Sequence, residues 1–455
     1  MKILLIQPPK SPRTIAGDDI HIYEPLALEY LASGIGQDHD VKILDMRLEK
    51  SFEQTLAEFK PDIVGITGYT VHVNIVKRLF EEVKTWDART LTVVGGHHAT
   101  VMPVDFLSPF IDIIVMGEGV FPLKEIVQRL EKGESFEGVA GTAIARGDTL
   151  ITTKCDTRID LDSLPFPDRK LTAKYRGQYF SEWLKPLASI RTSKGCPYRC
   201  NFCAEWKVAG GHYYKRKPER VVEELEEIPE DCVFFADDES LVDAARMSLL
   251  ARLIKEAGIK KRYFLYGRSD TIARNPQLVE AWRDIGLERI FIGLEFCRDE
   301  DLIYIRKGST ADDNEKAVRI LQGLGIDVYA SFIVRPDFTR SDFDALRHFC
   351  RRMDLDYAGF AVLTPLPGTD LYQELREKLI TNEYDYFDFI HTVLPTALPL
   401  KEFYSEYLRL YKKATTFSNQ LGLLRKFPLR EIPGAISKGL RFYSRLKTTH
   451  LDYAS

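Results

Sequence analysis

The chain is poor in the features that would place it in several broad classes. No apolar run in its 455 residues approaches the roughly 18 needed to cross a bilayer, so a spanning helix is excluded. Cysteine is scarce and odd in number, seven in all, which excludes a disulfide scaffold and makes a reducing compartment the default. Positive charge is not in excess. Lys and Arg total 63 against 67 Asp and Glu, a net charge of −4, so no nucleic-acid partner is expected. The opening MKILLIQPPK carries one Lys and a short apolar run closed by two prolines, without a secretory apolar core and small-residue cleavage site. A cytoplasmic protein is the expectation. Internal repeats and low-complexity stretches are absent too. No Gly-x-Gly-x-x-Gly follows the first apolar run, which disfavours a dinucleotide ligand. What is present is an ordinary globular mix, 45% hydrophobic and 29% charged, long enough for about three domains.

Residues 1–140 alternate short apolar runs with helical periodicity. Strands are predicted at Lys2–Gln7, Val41–Asp45, Asp62–Thr67, Leu91–Gly95 and Ile111–Met116, and helices at Glu24–Ile35, Phe52–Phe59 and Asn74–Lys84. Continuous apolar strands suit a parallel sheet buried on both faces, so this is a doubly wound, Rossmann-like α/β domain. Such domains bind ligands at the carboxyl ends of their strands. Those ends carry small residues here: Thr67-Gly68-Tyr69, Gly95-Gly96-His97-His98 and Gly117-Glu118-Gly119. Glycine lets backbone approach a ligand closely, and plain turn chemistry is the competing explanation for each.

Residues 141–185 read as an irregular connector. A second β/α series follows, with strands at Leu187–Arg191, Cys232–Ala236, Tyr263–Tyr266, Arg289–Leu294, Val328–Val334 and Ala358–Leu363. Helical patterns separate them. Six repeats predict a partial (β/α)6 barrel of the TIM type over 186–369, again active at the carboxyl ends of its strands. Beyond residue 370 the alternation stops and a helical, aromatic-rich region runs to 455.

The sharpest feature is Arg191-Thr-Ser-Lys-Gly-Cys196-Pro-Tyr-Arg-Cys200-Asn-Phe-Cys203, directly after the first barrel strand. Three thiolates on one short loop can hold three irons of a cubane and leave the fourth open, unlike a four-cysteine ferredoxin. Structural zinc wants four ligands, and His212 is the candidate fourth in that alternative. Cys155, Cys232, Cys297 and Cys350 are scattered, and a small buried hydrophobe is the better reading for those in apolar stretches.

This loop, with the aromatic Phe202 before its last cysteine, resembles the signature of radical S-adenosylmethionine (SAM) enzymes. The resemblance covers Leu187 to about Leu366. It implies a [4Fe-4S] cluster on Cys196, Cys200 and Cys203, with SAM on the open iron and an adenosyl radical as product of its cleavage. It also implies SAM contacts at Phe202 and at strand ends. Phe235-Ala236-Asp237-Asp238-Glu239 stands where the family often has Gly-Gly-Glu, so Asp237, Asp238 and Glu239 compete to hold the SAM amino group. Arg268 is placed to pair with the SAM carboxylate and Glu295 to reach the ribose or amino group.

Residues 1–140 resemble the cobalamin-binding domain of cobalamin-dependent radical SAM enzymes, through Tyr23-Glu-Pro-Leu-Ala-Leu-Glu-Tyr30, Gly95-Gly96-His-His-Ala-Thr100 and Gly117-Glu118-Gly119. That resemblance implies cobalamin contacts at Tyr23, Thr67, Gly68, Tyr69, Gly95, Gly96, His97, Gly117, Glu118 and Gly119. One departure matters. Arg47 stands where many such domains carry the histidine that ligates cobalt, and a guanidinium cannot replace it. Tail-out cobalamin without a lower His ligand is therefore expected, with His97 and His98 facing the nucleotide tail or solvent.

Residues 421–450 hold seven Lys and Arg against Glu431 alone, interleaved with apolar residues. A basic amphipathic segment can lie on an anionic membrane, while a solvated helix face is the alternative. The stretch Phe387–Tyr404 resembles the tails of hopanoid C-3 methylases. The combined expectation is a methyltransferase using methylcobalamin, SAM and the cluster to methylate an unactivated carbon of a lipid such as a hopanoid. An external flavodoxin- or ferredoxin-type electron donor and a peripheral contact at the inner membrane face are expected with it. The aromatic tail from Tyr372 to Tyr411 is expected to wall the substrate slot. The alternatives are an oxidative cyclase or ring-rearranging enzyme with the same cofactors, and a zinc-stabilised cobalamin carrier. A methylthiotransferase is disfavoured, because residues 1–140 contain no cysteine.

Overall fold

A computed structural model describes residues 1–15, 17–36, 38–154 and 159–453. Cys155 lies outside the described residues. The first sheet contains β1 (Lys2–Gln7), β2 (Asp40–Asp45), β3 (Ile63–Thr67), β4 (Leu91–Gly95), β5 (Ile113–Val115), β6 (Thr142–Arg146) and β7 (Thr149–Thr152) in the spatial order β2-β1-β3-β4-β5-β6-β7. The first five are parallel. Successive β1 side chains feed opposite cores. Leu4 and Ile6 pack with Leu79 and Phe80, whereas Ile3 and Leu5 pack with Leu28 and Ile126. That two-sided burial is why the strand reads as an unbroken apolar run. Helices α1 (Leu26–Ile35), α2 (Phe52–Phe59), α3 (Val73–Trp86) and α4 (Val120–Glu131) cover the two faces. In α3, buried Val73, Val76, Leu79, Phe80 and Val83 form one stripe at helical spacing.

One sequence expectation is corrected here. The segment taken as an irregular connector opens with the β6–β7 hairpin, which adds antiparallel strands to the edge of this sheet. Its signal was the Gly147-Asp148 turn between two strand-forming runs, with Gly147 at φ 58°.

The second sheet is a row of six parallel strands in sequence order: β8 (Leu187–Ile190), β9 (Cys232–Phe235), β10 (Arg262–Arg268), β11 (Leu287–Glu295), β12 (Asp327–Val334) and β13 (Tyr357–Val362). Alternate residues face outward, where Val233, Leu265, Ile290, Ile292 and Ala330 join the main core. Helices α5 (Pro218–Glu227), α6 (Ala244–Glu256), α7 (Pro276–Asp284), α8 (Ala311–Gly323) and α9 (Arg340–Arg352) connect the strands.

The tail adds α10 (Leu400–Lys413), α11 (Phe417–Leu424) and α12 (Ile432–Thr448). Phe403 of α10 meets Phe343 of α9 edge-on at 5.6 Å. The hydroxyls of Tyr407 and Tyr411 both donate to the Phe360 carbonyl. Phe403, Tyr407 and Tyr411 therefore pack outside the barrel wall and do not line a slot inside it, whereas Tyr384 of the same stretch meets His98 of the first unit at 5.1 Å. Leu423 and Phe427 pack into a cluster with Leu187, Cys232, Phe234 and Phe264 at the amino-terminal end of the barrel strands, where Phe427 lies 5.9 Å from Trp183. Among the described residues no helix is long and apolar enough to cross a membrane.

A buried charge cluster joins the two α/β units. Glu24 accepts from the Ser189 amide and from Arg176 at 2.6 Å, and Glu224 binds Arg169 at 2.7 Å and Arg216 at 2.5 Å. Glu24 and Glu224 are both buried. Removing one member leaves buried cations without their partner, at a typical cost of about 3–5 kcal/mol. Glu24→Ala is expected to lower the first calorimetric unfolding transition clearly. A transition unchanged from the parent protein would show that this cluster does not brace the two units.

Candidate functional site

The site begins with the way β9 ends. Asp237 accepts from the Thr192 amide (2.7 Å), the Thr192 hydroxyl (2.6 Å) and the Ser193 amide (2.8 Å). Asp238 accepts from the Gly195 amide at 2.6 Å. Two neighbouring carboxylates thus pin the loop that carries the cysteines. Gly195 sits at φ 84°, and a Cβ there would stand 2.1 Å from the His212 carbonyl oxygen, so only glycine fits. The His212 ring lies 5.7 Å from that of Tyr214.

Cys196, Cys200 and Cys203 are free thiols, the second of them buried. Burial pushes the Cys196 thiol up to about 11 and raises Cys203 strongly. A bound cation reverses that logic and deprotonates a coordinating thiol outright. Among the described residues no three donors converge as they would around a single ion. A cubane asks for no such convergence, because each thiolate takes its own iron. The three thiols on one pinned loop therefore fit a cluster.

Arg268 faces this loop. Its guanidinium lies 3.5 Å from the Tyr198 ring centroid, pairs with Asp270 at 2.9 Å, donates to the Lys307 carbonyl and comes 3.8 Å from Cys200 Sγ. These contacts hold it against the cysteine loop. Glu295, at φ 60°, is likewise taken, by Lys307 Nζ at 2.7 Å. The three acidic candidates after β9 also separate. Asp237 is fully used by the loop. Glu239 accepts from the Arg268 amide at 3.3 Å through one oxygen, while its buried Oε2 has no partner. Burial pushes its carboxyl up to about 8. A buried oxygen without a partner is what a ligand ammonium would satisfy. Phe202 is half-buried against the barrel core.

The glycine-rich ends of β3, β4 and β5 do lie side by side. Gly96, at φ 101°, allows contact between neighbouring turns, since a Cβ would stand 2.5 Å from Thr67 Oγ1 and 2.9 Å from the Gly68 amide. Gly117 donates its amide to Thr100 at 2.9 Å. Gly119 lies so near Leu31 that a Cβ would come within 3.1 Å, and Gly95 has ordinary contact with Val115. Tyr69 projects from the β3 end, 60% exposed, beside the rings of His72 and His97.

Other residues assigned to cobalamin have partners elsewhere. Glu118 spans to Arg191 at 3.3 Å and Lys194 at 3.1 Å; burial opposes its charge, but the two cations win and hold the carboxyl down at about 2. The Tyr23 ring enters the barrel and stacks on Phe234 at 4.6 Å. His98 is buried between Thr70 (3.1 Å) and Asp105 (3.0 Å), and so faces neither solvent nor a ligand. His97 turns toward the second unit, 3.4 Å from Glu205. Burial works against its charge, yet Glu205 holds the imidazole above its usual value. Arg47 donates to both oxygens of Asp45 (2.8 and 2.6 Å) and to the Tyr23 carbonyl (2.8 Å), which locks it in place.

Sequence reasoning missed Glu205 and Lys307. Glu205 follows Cys203 by two residues, and burial first and the Glu205 charge second raise the carboxyl of Asp238. His97 and Glu205 therefore meet across the gap. The strand ends of the first unit face the strand ends of the barrel.

Comparisons with known proteins agree with this geometry. The B12 binding domain family matches residues 13–127 and the radical SAM superfamily matches residues 190–350. The hopanoid C-3 methylase of Methylococcus capsulatus is 33% identical over 401 residues, 86% of this chain and 77% of that protein. The chain belongs to the cobalamin-binding radical SAM enzymes. An uncharacterized methyltransferase of Pyrococcus horikoshii is 30% identical over 91% of each chain. The solved structure of the cobalamin-dependent radical SAM enzyme OxsB, with aqua-cobalamin and SAM bound, matches 99% of this chain and 72% of its own at a TM-score of 0.75 and 16% identity. As a member of this family the chain is an enzyme, with cobalamin, SAM and a [4Fe-4S] cluster as its cofactors.

Glu239 and Asp237 should behave differently when neutralised. Glu239→Gln is expected to weaken SAM binding at least tenfold by equilibrium dialysis, the scale of a lost charge-assisted hydrogen bond of about 1.5–3 kcal/mol. Asp237→Asn is expected instead to lower thermal stability, since the loop amides lose their acceptor. The reverse pattern would exchange their roles.

Proposed function

We propose that this enzyme methylates an unactivated carbon of an apolar polycyclic lipid such as a hopanoid. The observation that carries this reading is the confrontation of two ligand-binding strand ends, bridged by His97 with Glu205 and by Glu118 with Arg191 and Lys194. When bound, cobalamin supplies a methyl group and the cluster with SAM supplies a carbon-centred radical. Cys196, Cys200 and Cys203 hold the cluster, Glu239 takes the SAM amino group, and Arg268 places positive charge beside the Cys200 thiolate. Gly68, Gly95, Gly96 and Gly117 shape the cobalamin face, with Thr67 and Tyr69 at its rim. The similarity to hopanoid C-3 methylase over most of both chains supports the substrate class. A one-electron donor of the flavodoxin or ferredoxin class supplies reducing equivalents.

The products decide between methyl transfer and oxidative cyclisation. Anaerobic reaction with a hopanoid acceptor is expected to yield S-adenosylhomocysteine and 5′-deoxyadenosine together with methylated lipid. Formation of 5′-deoxyadenosine alone would favour the cyclase alternative. Cys200→Ala is expected to abolish 5′-deoxyadenosine while leaving cobalamin binding intact.

The enzyme works on the cytoplasmic face of a membrane in this reading. Part of the basic tail serves the fold: Lys426 pairs with Asp327, and Phe442 packs on Tyr411 at 5.1 Å. Outward, however, stand Leu429 (86% exposed), Ile436 and Leu440, with Arg425, Arg430 and Lys447 exposed nearby. Each well-placed cation contributes about 1 kcal/mol at an anionic surface. Flotation with phosphatidylserine-containing liposomes is expected at low salt and reduced at high salt, and a Leu429→Asp/Leu440→Asp variant should fail to float. Equal behaviour of both proteins would refute the contact. Truncation is unsuitable, because it would strip Phe427 from the end of the barrel.

A further inference from the structure

The inner face of the barrel carries an unbroken belt of aromatic rings. Tyr23 stacks on Phe234 at 4.6 Å, Phe234 meets Tyr266 at 4.9 Å, Tyr266 meets Phe291 at 5.0 Å, Phe291 meets Tyr329 at 4.8 Å, and Tyr329 meets Tyr357 at 4.3 Å. Four of these rings stand in strict register on adjacent strands, Tyr266 beside Phe291, Phe291 beside Tyr329 and Tyr329 beside Tyr357. Nothing in the cofactor sites described above uses this belt.

The next registered row toward the carboxyl ends is Arg268, Gly293, Ser331 and Gly359. Three of these four are very small. A Cβ at Gly293 would stand 2.4 Å from Glu295 Oε1, and one at Gly359 would stand 2.8 Å from the Tyr329 ring, so both positions admit only glycine without a shift. Tyr266, Phe291, Tyr329, Tyr357, Ser331 and Gly359 are each partly exposed although they lie mid-strand inside the barrel. Side chains in that position keep exposed surface only where they border a hollow.

The hollow presents little charge at this level. The belt itself carries no charged side chain. Arg289 lies one row below, 1% exposed, with its charge met by Glu182 and its guanidinium 4.4 Å from the Trp183, 5.0 Å from the Tyr329 and 5.5 Å from the Tyr357 ring centroids. A surface of ring faces offers dispersion and burial of hydrocarbon.

We infer that this belt, with the small-residue row above it, is the seat of a flat fused-ring hydrocarbon substrate, whose reacting edge points to the strand ends where the cofactors meet. The inference rests on the methyltransferase reading above and adds the side chains that select the substrate. Ser331 is the gatekeeper, because it is the one small residue of its row where a larger side chain would enter the hollow without first striking its own neighbours.

The test uses the full-length, cluster-loaded protein and dehydroergosterol, a fluorescent tetracyclic sterol, read by energy transfer from tryptophan. Saturable binding is expected in the parent protein. Ser331→Phe should weaken it at least tenfold, and Phe291→Ala should weaken it measurably. Ile303→Phe, at an outer position 75% exposed, adds the same ring elsewhere and should bind as the parent does. SAM binding by equilibrium dialysis should be unchanged in all three, which also reports that they fold. Parent-like sterol binding by Ser331→Phe would overturn the seat, and so would loss of SAM binding in that variant, since the hollow would then belong to the nucleoside. If Ser331→Phe blocks the sterol but the parent protein methylates no hopanoid, the seat stands and the methyl-transfer reading fails. If Ser331→Phe methylates hopanoid at the parent rate, the reading stands and the seat fails.

Discussion

Two adjacent carboxylates organise the catalytic end of this enzyme. Asp237 and Asp238 leave β9 and accept four hydrogen bonds from Thr192, Ser193 and Gly195, which set the start of the cysteine loop. Buried carboxylates are costly unless satisfied, and donors from one short segment satisfy these well. The loop they pin reaches the other unit, because Glu205, two residues beyond Cys203, meets His97 at 3.4 Å. Loop position and strand end are thus consequences of one local arrangement.

Around it, cations are placed in two distinct ways. Arg268 and Lys307 stay inside the barrel, held by Asp270 and Glu295, with the Arg268 guanidinium beside Cys200. Arg191 and Lys194 instead reach across to Glu118, so the strand before the cysteines is tied to the cobalamin-type sheet. The buried cluster of Glu24, Arg169, Arg176 and Glu224 ties the units again at the first barrel strand. Such interactions are short-ranged and directional, so they keep two separately folded sheets in one relative position where apolar packing alone would allow sliding.

Much of the fold was legible in the sequence. The parallel strands of both sheets and most connecting helices were located to within a few residues, because two-sided burial leaves continuous apolar runs and amphipathic helices leave a stripe; the helix at Val120–Glu131 was not. The hairpin at Thr142–Thr152 was missed for a physical reason: its strands lie at a sheet edge, half exposed, and carry no such run. The cysteine loop was legible because its chemistry lies within eight consecutive residues. Glu205 stood in plain view beside it, but nothing local distinguishes it from a surface glutamate.

Sequence by itself determined the order of elements, the cluster loop and the glycine-rich strand ends, since each depends on neighbours a few residues apart. Only the tertiary structure decided which charged side chains remain free. Arg268, Glu295, Glu118 and Asp237 all read as ligand contacts, and all are taken by partners from 2 to 76 positions away. It also moved Tyr23 from the cobalamin-type sheet into the barrel and set Tyr407 and Tyr411 on the outside of the barrel wall. A charge or a ring is assigned by what lies within a few ångströms of it, and those neighbours are brought together by the fold and not by the chain.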